Sequence, residues 1–185
     1  MIYISKGRGK LNFKRELTVT RCGKIIKLSG IRAELWQRGR CGFVTIKTQA
    51  EEMALNDLSR LGLVETEQEA TWTAQYRIMT YCVPCPVWAF PWFGLSPDER
   101  TTLRWLTKAG LRMTIAELIY LKEHEILPTR DLLRPRNRQA LVEKIYTPMN
   151  ISDNLLEQQM EKAECRDQVV TAILGLLKKK RLVLI

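Results

Sequence analysis

Two segments of the chain share an order of features that restricts the folds available to it. Residues 48–64 and residues 166–184 each consist of an amphipathic helical stretch that ends in a short apolar strand. A helix that turns sharply into a strand lets the strand pack back on the helices. The sequence therefore predicts two modules that close in the same way. The aligned apolar positions are Leu58, Leu63 and Val64 in the first segment and Leu177, Leu182 and Val183 in the second.

The repeated closure divides the 185 residues into two modules and a connector. We place an N-terminal module at residues 1–81, a connector at residues 82–95 and a C-terminal module at residues 96–185. Modules of about 80 residues can bury workable cores. Hydrophobic residues make up 45% of the chain, which excludes a wholly disordered protein. The predicted fold class is α+β and mostly helical.

The first module is predicted to begin with two strands, 17–20 and 24–28, around a turn at Cys22 and Gly23. Ser29 is the predicted N-cap of a helix through Arg38, with Ile31, Leu35 and Trp36 on its apolar face. A second helix should start at a capping box. That box is Thr48 with Glu51, and Met53, Leu55, Leu58 and Leu61 form the apolar side.

A β-hairpin is predicted to complete the first module. Its strands are residues 63–68 and 71–81, and three glutamates lie near the acidic turn between them: Glu65, Glu67 and Glu69. This hairpin would be a wing, although its tip has the wrong charge for contact with a phosphate backbone.

The connector is rich in proline and aromatic residues and has neither a helical nor a strand period. Its four aromatic side chains are too apolar for a free linker, so we expect them to pack between modules or against a second chain. This predicted partner interface consists of Trp88, Phe90, Trp92 and Phe93.

The second module is predicted to be helical until its last strand. Two capping boxes open its first helices, Ser96 with Glu99 and Thr114 with Glu117. Further helices are expected over residues 137–146, 152–163 and 166–179. The final strand, residues 182–185, needs a partner, and the apolar residues 1–4 are the candidate.

The positive charge of the chain is concentrated in parts of it. The net charge is +10 and the isoelectric point is near 9.6. Residues 1–47 carry twelve Lys and Arg but two acidic residues, whereas residues 48–101 carry three against eight. A local basic excess favours a polyanionic partner, because phosphate neutralisation releases counterions. A basic surface that only keeps the protein soluble is the alternative.

Three basic groups are the candidate DNA contacts. Four cations end the last helix beside exposed polar positions that could face base edges, although cations also stabilise any helix C-terminus. A loop cluster suits bidentate phosphate binding, and a glycine-containing N-terminal stretch reads as a basic arm or a disordered leader. The residues are Arg166, Gln168, Thr171, Lys178, Lys179, Lys180 and Arg181, then Arg134, Arg136 and Arg138, then Lys6, Arg8 and Lys10.

The cysteines give no clear site. Cys82 and Cys85 form the one Cys-X-X-Cys pair, which supplies two of the four ligands that a structural zinc ion needs. Buried thiols, a metal site and a redox sensor all remain open for this pair. Reduced thiols are expected, and the sequence predicts no cofactor.

By element order the chain resembles the winged-helix DNA-binding superfamily over roughly residues 17–81 and 97–185. Residues 24–39, KIIKLSGIRAELWQRG, are also similar to the small peptide-binding domains related to the PQQ-chaperone family. Those domains use a winged-helix scaffold to bind a leader peptide along a strand edge. The resemblance implies a DNA-binding regulator or, alternatively, a protein or peptide adaptor.

The remaining sequence features narrow the function class. No hydrolase, zincin, P-loop or dinucleotide motif is present, which favours a protein that is not an enzyme. The N-terminus lacks the apolar region of a signal peptide, and the longest apolar run is too short to span a bilayer. We therefore expect a cytoplasmic transcriptional regulator that binds duplex DNA as a homodimer, without membrane association.

Overall fold

The computed structural model describes residues 1–12, 16–80, 82–87, 93–109, 113–129 and 166–185, together with single positions between 131 and 143. These residues form six helices and three small antiparallel sheets, and about half are helical. The α+β prediction is confirmed. Within the described residues, no helix has both the length and the apolar character needed to cross a membrane.

Four strands come first along the chain, and helices and strands then alternate from α1 to β7. The strands are β1 (Ile2–Ser5), β2 (Arg8–Leu11), β3 (Leu17–Arg21), β4 (Lys24–Leu28), β5 (Val44–Thr45), β6 (Val64–Glu67), β7 (Pro84–Pro86) and β8 (Leu182–Leu184). The helices are α1 (Gly30–Gly39), α2 (Gln49–Arg60), α3 (Trp72–Thr80), α4 (Pro97–Ala109), α5 (Ile115–Glu123) and α6 (Arg166–Lys178). The helix predicted over 152–163 lies outside the described residues, as does most of that over 137–146.

The predicted hairpin around Cys22 and Gly23 is confirmed. These two residues have φ values of 48° and 80°, as a type I′ turn requires, and Arg21 pairs with Lys24 across it. The basic stretch before this hairpin is a strand rather than a mobile arm, because all four residues of β2 pair with β3. The sheet order is β2-β3-β4.

The predicted pairing of the two chain ends is wrong. β1 lies between β5 and β6, and β8 pairs with β7. All four residues of β1 are buried, as expected for a central strand, so it is not available as an edge partner. The ends nevertheless meet at one point, where the Gly7 amide donates to the Leu184 carbonyl at 2.7 Å.

The predicted wing hairpin is also wrong, because its second strand is the helix α3. The Thr71 hydroxyl accepts a hydrogen bond from the Ala74 amide at 3.2 Å and caps the helix. Ala74, Ile78 and Met79 then face the core at helical spacing. The threonine and aromatic content of this segment favours a strand, but helical packing overrides that preference.

The connector also differs from its prediction, since Pro84, Cys85 and Pro86 form strand β7. Val83 and Ile185 exchange two backbone hydrogen bonds, and the Val87 amide donates to Arg181. The ladder bonds therefore fall at positions 83, 85 and 87, and the two prolines occupy the alternate positions. A proline is tolerated there because its nitrogen faces away from the partner strand.

Local cap predictions agree with the structure. Both reciprocal hydrogen bonds of the capping box are present at Thr48, Ser96 and Thr114. The apolar side of α2 differs in part: Leu55 and Leu58 are buried, but Met53 and Leu61 are exposed. On α1, Leu35 and Trp36 are buried and Ile31 is 40% exposed.

The repeated helix-to-strand closure is confirmed, with its alignment shifted by one residue. The Leu63 amide donates to Leu58 at the end of α2, and the Arg181 amide donates to Leu176 at the end of α6. Both closures are Schellman motifs. Gly62 and Lys180 therefore occupy the same left-handed position, with φ values of 68° and 56°.

The buried side chains form two clusters. The first contains Leu17, Leu35 and Trp36 with the apolar face of α2. The second joins Ile2 and Ile4 of β1 to residues of α3, α5, α6 and β8. Residues on both sides of the predicted connector thus share one cluster, and the limits of the two modules stay a prediction.

Candidate functional site

The outer face of the β2-β3-β4 sheet carries an exposed set of basic and polar side chains. Leu17 and Val19 of β3 point into the core, so Thr18 and Thr20 lie on the opposite face. The strand register places further residues beside these threonines. Arg8 and Ile25 flank Thr20, while Lys10 and Lys27 flank Thr18.

The cations of this face have no carboxylate partner among the described residues. Arg8, Lys10 and Lys27 are all exposed. Within the described part of the chain, none of the three forms a salt bridge. The face is therefore a positive surface on a paired sheet, and its side chains project from backbone that is held in place.

Strand β4 is one of the two edge strands of this sheet, and among the described residues no strand pairs with its outer side. The closing pair Arg21 and Lys24 is hydrogen-bonded across the two-residue turn, so β4 directs its backbone groups at positions 24, 26 and 28 toward β3. The N–H and C=O groups of Ile25 and Lys27 point away from β3. Among the described residues, no backbone hydrogen bond joins these groups to another element. The Ile25 side chain is 70% exposed.

A rigid support lies on the inner face of the sheet. The Trp36 ring is fully buried against Gly9, where an added Cβ would come within 2.4 Å of ring carbon Cζ3. Its indole N–H donates to the Lys6 carbonyl at 2.9 Å. The Arg21 guanidinium donates to the Gly62 carbonyl at the end of α2. Contacts with α1 and with the end of α2 therefore hold the inner side of the sheet in place.

Lys6 is not part of an exposed basic surface. Its side chain is 6% exposed and forms an ion pair with Glu65 on β6. The strand following the helix α2 therefore neutralises the first cation of the predicted arm, and only Arg8 and Lys10 of that arm reach the sheet face.

The four cations at the end of α6 have different environments. Lys179 is paired within the chain although its side chain is 41% exposed, with its ammonium 2.5 Å from a carboxylate oxygen of Glu99 and 2.6 Å from the Gly94 carbonyl. Glu99 is buried. Lys178 and Lys180 are exposed, and Arg181 is half-buried.

Two of the predicted basic groups meet in one cleft of about 400 Å³. Arg8 of β2 and Lys180 after α6 both line it, and Arg40 after α1 joins them. Sequence reasoning missed Arg40, whose guanidinium lies 5.4 Å from the centre of the Trp36 ring. Sequence reasoning predicted the strand over residues 24–28 and noted its resemblance to strand-edge binders, but it did not show which backbone groups of β4 face outward.

The beginning of α6 is occupied by contacts within the chain. Arg166 lies over the Tyr76 ring at 4.5 Å and donates to Asp167 at 3.0 Å. The Tyr76 hydroxyl also donates to Asp167, and these bonds lower the pKa of that carboxyl. Gln168 and Thr171 are exposed. The helix spans about 18 Å, so this end lies far from the lysines at its other end.

The loop cluster is only partly described. Arg134 and Arg136 are exposed, and Arg134 forms an ion pair with Asp131 at 3.2 Å. Arg138 lies outside the residues whose side chains are described. The cluster therefore contributes no defined surface.

The aromatic interface also lies mostly outside the described residues, which include Phe93 but not Trp88, Phe90 or Trp92. The Phe93 ring is 84% exposed. Phe93 therefore does not pack between modules within the described residues, and contact of the four aromatic side chains with a second chain stays a prediction.

The Cys-X-X-Cys pair is buried. The Cys82 thiol donates to the Ile78 carbonyl at 3.2 Å, and burial raises the pKa of this thiol to about 12. Burial therefore disfavours the thiolate of Cys82, which is the form that binds metals and reacts with disulfides. Among the described residues, no cluster of three or more His, Cys, Asp or Glu side chains is placed to hold a metal ion.

Helix α2 presents acidic side chains. Glu51 pairs with Arg38, and Asp57 lies 3.9 Å from Arg32 of α1. Glu52 lies in the same first turn as Glu51. These carboxylates link α2 to α1 and oppose entry of the helix into a DNA groove.

Comparison with known proteins adds no assignment. No protein-family model matches the chain, and no curated protein or solved structure matches it significantly.

Proposed function

We propose that the chain is a non-enzymatic binding protein that holds an extended, acidic peptide against the free edge of β4. The observation that carries this proposal is the pair of outward-directed backbone positions at Ile25 and Lys27. An added strand satisfies such groups with main-chain hydrogen bonds, while alternate side chains determine specificity. Residues 24–39, which resemble peptide-binding domains, form β4 and α1.

The charges of the sheet face favour an acidic partner. A strand paired to β4 would place alternate side chains beside Ile25 and Lys27 on the outer face. Carboxylates there would lie beside Lys27, while Lys10 and Arg8 on β2 would add positive potential from further across the sheet. Each backbone hydrogen bond contributes about 0.5–1.5 kcal/mol, so pairing at two positions supports specific but modest affinity.

The proposal is tested with a phage-displayed library of linear random peptides selected against the immobilised protein. Enriched peptides should combine acidic and β-branched residues, and their synthetic forms should bind in calorimetry. Lys27→Pro removes one outward N–H without removing a bond to β3. We expect it to weaken binding more than tenfold, about 1.4 kcal/mol. Lys27→Ala keeps the N–H and should weaken binding only a few-fold, in a salt-dependent way.

Amide exchange supplies the control within the same strand. In the free protein the Ile25 and Lys27 amides should exchange rapidly, while the Ile26 amide, bonded to β3, is protected. Peptide binding should slow the first two and leave the third unchanged. Equal binding by the Lys27→Pro and Lys27→Ala variants would exclude strand addition at this edge.

We also propose that the two halves of the chain are tandem winged-helix modules. Each half contains a helix that closes through a Schellman motif onto a strand, α2 onto β6 and α6 onto β8. Each of these strands then pairs with a strand from elsewhere in the chain, β6 with β1 and β8 with β7. A wing built from a distant segment would explain why, among the described residues, neither β6 nor β8 forms a hairpin with a strand close to it in sequence.

Duplex DNA is the second candidate partner, with the chain acting as a dimeric regulator. The observation that favours it is the set of Arg8, Lys10 and Lys27 on one face, which has no salt-bridge partner among the described residues. Such a face would bind phosphates without reading sequence. The acidic α2 disfavours base recognition, so this candidate predicts salt-sensitive binding to any duplex.

The DNA candidate predicts a change in salt dependence. The double variant Lys10→Ala with Lys27→Ala should make the slope of log affinity against log salt shallower by about 2. The matched control Arg104→Ala with Lys108→Ala removes two cations from α4 and should leave the slope unchanged. A mobility-shift titration of random duplex at several salt concentrations measures both. Equal slopes for the two variants would remove the sheet face from any DNA interface.

A further inference from the structure

A cleft separates the edge of β2 from the edge of β8, and it is distinct from the free edge of β4. Its volume is about 400 Å³. Gly7, Arg8 and Gly9 line one side, and the three residues of β8 line the other. Val87 and Leu177 complete its apolar walls. The cleft is large enough for a few ligand groups and is formed by both ends of the chain.

Backbone polar groups from the strand edges face this cleft. Because Val183 and Ile185 lie at the ladder positions bonded to β7, Leu182 and Leu184 direct their N–H and C=O groups to the opposite side. The Leu184 carbonyl accepts from Gly7. Among the described residues, no backbone hydrogen bond joins the Leu182 groups to a partner. The cleft therefore offers a donor and an acceptor beside its cations.

The charges around the cleft have one sign. Arg8, Arg40 and Lys180 line it, and no Asp or Glu does so among the described residues. None of the three forms a salt bridge with a described carboxylate. Three cations held near one another repel, and an anion between them removes that repulsion.

Lys180 occupies a position that favours glycine. Its φ of 56° lies in the left-handed region, which is unfavourable for a side chain with a Cβ. The equivalent position of the first closure is Gly62. The second closure thus accepts backbone strain and places a lysine at the cleft. Strain retained at one copy of a repeated motif points to a role for the side chain.

We propose that this cleft binds an oxyanion, the carboxylate or phosphate group of a ligand, through Arg8, Arg40 and Lys180. The guanidinium groups would provide paired N–H donors and the ammonium a further donor. The Leu182 amide would add a backbone contact. The proposal does not depend on peptide binding at β4, because no residue of β4 lines the cleft.

The test combines two measurements with opposite expected signs on one variant. Lys180→Gly should raise the melting temperature by about 2–4 °C, because it relieves the left-handed strain. The same variant should weaken oxyanion binding several-fold. Misfolding cannot produce this combination. Lys178→Ala, a neighbouring exposed lysine, should leave binding unchanged.

Binding is measured by following amide chemical shifts with three probes. These are inorganic phosphate, the tripeptide Ala-Val-Ala as a free acid, and the same tripeptide with an amidated end. Shifts at Gly7, Gly9 and Leu182 with phosphate alone would assign a phosphate ligand. Shifts with the free acid but not the amide would assign a peptide carboxylate. Absence of shifts with every probe, or equal affinity in Lys180→Gly, would overturn the proposal.

Discussion

Replacement of Trp36 by alanine is expected to lower the free energy of unfolding by about 3–5 kcal/mol. The ring is fully buried between α1 and the β2-β3-β4 sheet. The change leaves a large cavity and also removes the indole donor to the Lys6 carbonyl. Small proteins are stable by about 5–15 kcal/mol, so the variant should lose much of its stability.

Urea denaturation followed by circular dichroism measures this change. Trp72→Ala is the matched control, because that ring is 64% exposed and should cost about 1 kcal/mol or less. Gly9→Ala tests the same contact from the β2 side, because its Cβ would overlap the Trp36 ring. Equal stability of the two tryptophan variants would show that the sheet does not rest on Trp36.

Lys179→Ala is expected to destabilise the fold by about 2–3 kcal/mol, whereas Lys178→Ala should change stability by less than about 0.5 kcal/mol. Lys179 neutralises the buried Glu99 and also binds the Gly94 carbonyl. Removal of one partner leaves a buried carboxylate without its counter-charge, although the Ser96 amide still donates to it. Lys178 is exposed and has no such partner among the described residues.

Thermal unfolding of the two single variants distinguishes these roles. Glu99→Gln with Lys179→Ala removes both charges and should recover part of the stability lost in Lys179→Ala. If the two lysines proved equal, the Glu99 pair would contribute little and the whole 178–181 cluster would act as one surface. If Lys179 is the more important for stability, as we expect, a variant that lacks all four cations would be partly unfolded. Its loss of DNA binding would then report unfolding as well as lost phosphate contacts.

Local features of the fold were predictable because their causes lie within a few residues. A capping box needs two residues three positions apart, and all three boxes form at Thr48, Ser96 and Thr114. The hairpin turn at Cys22 and Gly23 is similarly local. These patterns depend on backbone hydrogen bonds between near neighbours, which the sequence displays directly.

Long-range pairing was not predictable in the same way. Residues 1–4 are apolar and suit any sheet, and nothing in them selects β5 and β6 over β8 as partners. The segment of α3 has strand-forming residues and becomes helical because its apolar side faces the core. In each case the choice depends on contacts between segments far apart in sequence.

In the candidate site too, local features were predictable from the sequence and long-range contacts were not. The 178–181 cluster reads as four equal cations, yet burial of Glu99 on α4 gives Lys179 a structural role. Arg40 becomes a cleft residue only because β2 and β8 lie beside it. Charge counts identify where cations are abundant, but their partners are set by the packing of other elements.

The prolines of β7 have a consequence for assembly. Pro84 and Pro86 stand at the outward positions of that strand, where an additional strand would need amide donors. The outer edge of β7 therefore cannot propagate a sheet from one molecule to the next, which is a common protection against aggregation. Strand β4 has no proline at its outward positions and keeps both amides. The outer edge of β7 thus lacks the amide donors that an added strand would need, whereas the outer edge of β4 keeps them.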